Sequence, residues 1–513
     1  MDDRSSDGKK ARRPITGALF KRKVDRILED KKNANELVDV VDNLAVSDKA
    51  RIIAAIAACS RIFPELLRRR EIFAGNLPLE SKDEEFSPED KYKIWIRHRY
   101  NECSSHLLTS MLHSSIQVQE LALCTLMRFV QAEGSYPLES PGDVSPAFPM
   151  VLLKEVVDQM FVEDVQTTAL LTRFQEFLEF TDVVYYTMSV IRASLAGKQG
   201  LTPSYLEKLF TLLSALRPMA AGGQPKFFIS WGDSIKKSKC CDVKEHSKGF
   251  ENMWLHFLKN RLPRNLYKRV LVLLPNHVIP FMRQPPLLID FLTVAYNVGG
   301  AVSLLALKGL FLLIHQHNLE YPDFYRKLYK LFEPSVLNTK YRANFFKLAN
   351  IFLSSTHLPA YLVGAFVKRL SRLSLISPPH SLLLMLPFIY NLLRRHPACR
   401  VLLHRPDGPT DLEKDPYLMD EDDPMKSRAL ESSLWEIQAM QKHFHPTVAQ
   451  EALAAGNPLP QMEQELTDLL ELGPQQLFER EFKKTLRHVP LEFLSPSGLL
   501  MKKDDKLSPY WTL

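Results

Sequence analysis

"LHSSIQVQELALCTLMRFVQ", Leu112 to Gln131, decides the fold. Val118, Leu121, Ala122, Leu126 and Phe129 recur at three- and four-residue spacing, which puts them on one helical face. The polar "LHSSIQ" at its start predicts the short turn of a helix hairpin. A helix, a turn and then V-x-x-L-A-x-x-x-L is the pattern of a HEAT-like repeat. One such hairpin cannot bury its own apolar face, so neighbours must stack on it.

The same period extends in both directions. "LFKRKVDRILEDKKNANELVDVVDNL" and "KARIIAAIAACSRIFPELLRRREIF" precede it. In the second half, segments 287–316, 323–333, 340–355, 358–376 and 381–395 carry it too. Pro322, Pro359, Pro378, Pro379 and Pro397 stand near their ends, where helices start or stop. No strand alternation persists, and 19 glycines in 513 residues leave few tight hairpins. The expected fold is all-α, an α-solenoid of HEAT/armadillo-like repeats. Two blocks, 19–220 and 250–405, flank a basic connector at 221–249. Residues 1–18 read as a disordered basic N-terminus, with Lys9, Lys10, Arg12 and Arg13 as an import signal or nucleic-acid arm. Residues 406–428 read as an acidic, extended linker, and 429–513 as partner-docking helices with an extended tail.

Charge is uneven. Residues 201–270 hold thirteen Lys/Arg against five Asp/Glu, and 407–480 hold five against sixteen. A basic body suits an anionic partner, and an acidic segment suits a basic one. The opening lacks an apolar leader, so a reducing compartment is expected, and three of the six cysteines lie in apolar helical patterns and read as core thiols.

Catalytic signatures are missing from the sequence. "LAGKQG" lacks the glycine and hydroxyl of a phosphate loop, and neither G-x-S-x-G nor H-E-x-x-H occurs. Cys240, Cys241 and His246 do not have zinc-site spacing. The expectation is a binding or scaffold protein with no enzyme activity, cofactor or metal. The runs Phe291–Leu307 and Leu348–Val367 approach membrane length, but Gly299-Gly300 and "SSTHLP" interrupt them. They predict buried helix pairs rather than membrane spans.

Two groups of residues are candidate surfaces. In "SRALESSLWEIQAMQKHF", read as one helix, Leu430, Leu434, Ile437 and Met440 form an apolar stripe with Trp435 at its edge. Leu430, Leu434, Trp435 and Ile437 are therefore candidates for docking a partner. On 358–376, Lys368, Arg369 and Arg372 lie opposite the stripe Leu362, Phe366, Leu370 and Leu373. This predicts an exposed basic edge, extended by Arg394 and Arg395, that meets RNA or an acidic surface. "HNLEYPDFYRKLYKLFEPSV" interleaves aromatics with bases. Tyr325 and Tyr329 are either core anchors of an amphipathic helix or, with Arg326, a stacking surface for nucleic acid.

Long stretches carry a resemblance. "NLEYPDFYRKLYKLFEPSV", "KYRANFFKLANIFLSSTHLPAYLVGAFVKRLSRLSL", "LPFIYNLLRRHPACRVLLHRP" and "SRALESSLWEIQAMQKHFHP" resemble the domain of the CCAAT-binding-factor family of ribosome-biogenesis proteins. "KYKIWIRHRY" and "VQELALCTLMRFVQ" extend the likeness over nearly the whole chain. The resemblance implies a nucleolar assembly factor of the small ribosomal subunit, acting in the small-subunit processome and pre-rRNA processing. It implies a stable partner, a homologue of nucleolar protein 14, other processome proteins beside it, and pre-rRNA close by. It implies no catalytic residue. Some family members are labelled nuclear-membrane proteins. The family name also raises a second reading, a DNA-binding transcription regulator. That reading needs a recognition helix or zinc module, and the sequence offers neither.

Overall fold

The computed structural model describes residues 17–484, apart from 47, 76, 78–85, 139–147, 164–166, 198–199, 221, 231–237, 318–320, 322, 340, 356, 406–413 and 458–461. The basic N-terminus (1–16) and the tail (485–513) lie outside the described residues, as does most of "AGNLPLESKDEEF". Among the described residues there are helices and no strands. The chain forms two compact units, Met1–Glu320 and Tyr321–Leu513.

In the first unit the helices alternate between two rows. One row is α1 (Gly17–Glu29), α3 (Lys49–Arg68), α5 (Ile116–Ser135), α7 (Thr168–Phe177) and α9 (Pro203–Ala215). The other is α2 (Glu36–Asp42), α4 (Pro88–Ser110), α6 (Met150–Met160), α8 (Thr181–Ala196) and α10 (Val243–Leu258). Each helix packs on the next member of its own row. This is how hairpin repeats bury faces that one hairpin leaves open. Four residues of the stripe read on α5, Val118, Ala122, Leu126 and Phe129, are inaccessible, and Leu121 is half-buried. Phe63, Tyr100 and Phe129 meet there with ring centroids 5.2–5.7 Å apart. Helix starts follow local chemistry. Ser87 and Thr202 accept hydrogen bonds from the N–H groups of Asp90 and Tyr205, each with proline at the first helical position.

The connector at 221–249 does not divide the molecule; its described part is pinned inside the first unit. The buried Asp182 carboxylate accepts the N–H groups of Phe228 (3.0 Å) and Ile229 (3.1 Å). Ile229 rests on Gly134, where a Cβ would stand 2.2 Å from its terminal methyl. The unit ends with α11 (Arg264–Leu273), running into a π-helical turn (Leu274–Val278), then α12 (Ile289–Asn297) and α13 (Gly300–His317). Gly299 and Gly300, both at positive φ, separate α12 from α13 and so break the 291–307 run. Among the described residues α13 is the one helix long and apolar enough to cross a membrane. Half of it is buried, and it packs on α11 and α12.

The second unit holds α14 (Phe324–Leu331), α15 (Pro334–Leu337), α16 (Arg342–Phe352), α17 (Ala360–Ser374) and α18 (Pro379–Arg395). The break between α16 and α17 interrupts the 348–367 run. An aromatic core joins these helices: Phe332 lies 4.9 Å from Phe345 and 5.4 Å from Phe366, and Phe346 lies 5.5 Å from Phe388. Segments 429–431, 435–440, 446–453 and 467–470 then pack over α16, α17 and α18. The described part of the supposed linker, 414–428, is also packed rather than extended.

Candidate functional site

The two groups of candidate residues meet, and they meet each other. α17 was expected to show Lys368, Arg369 and Arg372 to solvent. Instead the Lys368 side chain is fully buried. Its Nζ lies 2.6 Å from the Glu436 carboxylate, 3.0 Å from Asp415 and 2.7 Å from the Ser433 carbonyl. Arg372 lies 3.6 Å from Glu436 and 3.9 Å from Asp415, and its guanidinium covers the Trp435 ring at 4.9 Å. Arg369 donates to the carbonyls of Phe332 (2.9 Å) and Met419 (3.1 Å) over the Tyr329 ring. The reason lies on the same face of α17. Gly364, Ser371 and Ser374 are small and let another segment approach closely. Leu430 takes that space, and a Cβ on Gly364 would stand 2.5 Å from its methyl.

The approaching segment, 414–437, joins the end of the supposed linker to the start of the region expected to dock a partner. The helix read over 427–444 is interrupted. A 3-10 turn (Ala429–Glu431) follows Arg428 at φ 54°, Ser432 is extended, and a short α19 (Trp435–Met440) follows. Ser432 donates to Asp415 and Ser433 gives its carbonyl to Lys368. Such polar bonds compete with continued helix. Leu434 and Ile437 are buried and Leu430 half-buried; only Trp435, at 39% exposure, keeps an open edge. The stripe docks in cis on α17, so it is no longer free for a partner.

Asp415 organises the strap. Burial pushes its carboxyl up. Hydrogen bonds from Ser432, the Trp435 indole N–H (2.9 Å), the Tyr417 N–H (3.1 Å) and Lys368 outweigh burial and bring it down to about 2. Ser371 donates to the second Glu436 oxygen (3.0 Å), and Tyr417 shares a hydrogen bond with Tyr329 (2.7 Å). The charges are thus paired and their remaining lone pairs used, the condition under which a buried ionic cluster is tolerated.

The other candidates are also engaged internally. Arg395 forks onto Glu463, its Nε 2.6 Å away, and donates to Asn350 Oδ1 (2.8 Å). Arg394 bonds Asn391 Oδ1 (2.7 Å), and burial pushes its guanidinium down. Tyr325 is half-buried and donates to the Phe352 carbonyl (3.3 Å), while Tyr329 is fully buried. Arg326 is exposed.

Asp415, Tyr417 and Glu436 escaped sequence reading because they lie in a stretch whose acids suggested solvation. The available signal was Gly364, Lys368 and Ser371 at i, i+4 and i+7 on α17, a face too small-sided for a solvated one. Among the described residues no group of three or more His, Cys, Asp or Glu is placed to hold a metal. His246 Nε2 instead bonds the Cys240 carbonyl at 2.8 Å.

Family comparisons agree with this division of labour. Residues 303–452 match the CBF/Mak21 family, which takes in the strap and most of the helices beneath it. Residues 23–200 match the TPR repeats of the nucleolar complex protein 4-like family, so the repeats carry that name rather than HEAT or armadillo. Among curated proteins, the nucleolar complex protein 4 homolog of Gallus gallus is 49% identical across 96% of this chain and 98% of its own length. The Homo sapiens homolog is 47% identical across 96% and 97%. The Danio rerio homolog is 46% identical across 96% and 95%. A chain matched so evenly from end to end, in both its repeat rows and its strapped helices, belongs to the nucleolar complex protein 4 family.

Proposed function

We propose that this protein is a non-enzymatic nucleolar assembly factor for small ribosomal subunit biogenesis, acting in the small-subunit processome and in pre-rRNA processing. End-to-end similarity to proteins named nucleolar complex protein 4 homolog carries this reading. Stacked helical repeats support it, because a superhelix of hairpins offers long continuous surfaces for partners. The protein works as a scaffold. It holds a homologue of nucleolar protein 14, neighbours other processome proteins and lies beside pre-rRNA. The stripe Leu430, Leu434 and Ile437 is occupied within the second unit, so the partner grips other surfaces.

Purification of the tagged full chain, followed by mass spectrometry and RNA sequencing, tests the reading. Expected are small-subunit precursor RNA, processome proteins and the nucleolar protein 14 homologue, with imaging placing the chain in the nucleolus. Recovery of large-subunit precursors alone, or of promoter DNA without pre-rRNA, would overturn it.

A further inference from the structure

Among the described residues, many bases in both units pair with acids. Lys23, Arg51, Arg61, Arg68, Arg99 and Arg173 have carboxylate partners in the first unit, as do Lys330, Lys368, Arg372, Arg395 and Arg428 in the second. One region departs from this. Residues 252–317 carry seven Lys/Arg and one Asp/Glu, Asp290. Among the described residues, none of Lys259, Arg261, Arg264, Lys268, Arg269, Arg283 and Lys308 has a carboxylate within ion-pair distance. Except for Lys268, which is half-buried, these side chains are exposed.

Contacts tie several of them into one surface. Arg217, just past α9, donates to His277 Nδ1 at 2.9 Å, and Lys308 on α13 donates to Asn276 Oδ1 at 2.8 Å. Asn276 and His277 are neighbours on the π-helical turn that ends α11, so that turn holds Arg217 and Lys308 close to each other. Arg269, two turns earlier, lies over Phe210 of α9 with its guanidinium carbon 4.9 Å from the ring centre. Arg264 and Lys268 stand together at i, i+4 spacing near the start of α11, roughly 100–140° around the helix from Arg269. Over 264–278 the bases follow a helical length of about 20 Å. Neither α11 nor α13 contains an acidic residue.

We propose that this surface, formed by α11, its π-helical turn, α13 and the end of α9, binds the phosphodiester backbone of RNA. The proposal rests on the assembly-factor reading for the source of that RNA. Bases grouped on α11 and α13 without carboxylate partners keep their field for an anionic ligand with regularly spaced charge. Exposed stacking platforms are sparse: Tyr267 is half-buried against Phe291, 5.3 Å between ring centres. The contact therefore reads backbone rather than base identity, and depends little on sequence and strongly on salt.

The test uses the full chain and an RNA hairpin of arbitrary sequence, with affinity followed from low to moderate salt. Replacing Arg264, Lys268 and Arg269 together by Gln should weaken binding at least tenfold. It should also lower the log–log salt slope by about two to three, at roughly 0.7–0.9 per lost contact. Circular dichroism checks folding; if the triple variant unfolds, Arg264→Gln and Lys268→Gln are read singly for one contact each. Lys347→Gln, exposed on α16 of the second unit, should leave the slope unchanged. Wild-type affinity and slope in a folded Arg264/Lys268/Arg269 variant would overturn the proposal. So would polyglutamate displacing the hairpin at concentrations where excess RNA does not, which would make the occupant an acidic protein. Gradient sedimentation separates this from the broader reading. Loss of RNA binding by a chain that never co-sediments with small-subunit precursors leaves the surface standing and removes the assembly role. Intact RNA binding by the variant within a precursor particle does the reverse.

Discussion

α17 and α11 carry similar charges and meet opposite fates. On α17, Lys368, Arg369 and Arg372 are turned against carboxylates, carbonyls and aromatic rings of the same unit. On α11, Arg264, Lys268 and Arg269 have no carboxylate partner among the described residues. Both helices show an apolar stripe with bases opposite. The pattern fixes which side of a helix faces its first neighbour; it does not fix whether a second neighbour covers the other side. Small residues do carry that information. Gly364, Ser371 and Ser374 lie beside the bases of α17, whereas Asn265 and Val272 share the outer side of α11.

The largest expected effect lies on α17. Lys368→Ala leaves the buried Glu436 with Arg372 as its one nearby cation and Ser371 as a donor, and should cost about 3–5 kcal/mol. Hydrogen exchange across 360–374, followed through denaturant, reads this locally. The paired change Lys368→Met with Glu436→Leu should recover most of the loss, since it removes both charges. Unaltered exchange in Lys368→Ala would mean that the strap does not hold this helix.

Acid should act through Asp415 next. Its carboxyl is held at about 2, below the usual value near 3.8, so its contribution is present above about pH 4 and lost as pH falls through about 2. The shift corresponds to about 2 kcal/mol. Asp415→Asn should lower stability at neutral pH by about that amount and flatten the stability profile between pH 4 and 2. A variant as acid-sensitive as the parent would remove Asp415 from the strap's balance.

Tyr329→Phe tests the hydroxyl pair. It leaves the Tyr417 hydroxyl, 5% exposed as a residue, with the Met419 sulfur at 3.6 Å and should cost about 1–2 kcal/mol, while Tyr329→Phe with Tyr417→Phe should cost less than the single change. Thermal melts of the three variants decide whether the coupling exists.

The smallest expected effect sharpens the contrast. Arg264→Gln and Lys268→Gln should each change stability by no more than about 0.5 kcal/mol, because no folded-state charge depends on them. A loss comparable to that of Lys368→Ala would make α11 a second strapped helix and end the comparison.

The repeat architecture was legible because it is local: α5 needed only its own period and its turn. Helix breaks at Pro359 and at Gly299-Gly300 were legible for the same reason. The clamp was not, because it joins residues far apart in sequence through single side chains. Lys368 and Glu436 are 68 positions apart, and Tyr329 and Tyr417 are 88 apart. Acids at 415 and 436 look alike in composition whether solvated or buried. The eight acids of 406–428 therefore suggested a linker where Asp415 is structural. The connector at 221–249 misled similarly, since one buried carboxylate, Asp182, fixes what its composition left open.

The strap also imposes an order of events during synthesis. α17 leaves the ribosome complete, but the groups that neutralise Lys368 follow roughly 40 to 60 residues later. At 5–20 residues per second, that delay lasts on the order of 2–12 s. For that interval the nascent chain carries a helix with one apolar face and one unpaired cationic face. A transcript truncated between the codons for residues 405 and 414 would make the condition permanent. Such fragments should be retained by chaperones, and release should come only once Glu436 has been translated.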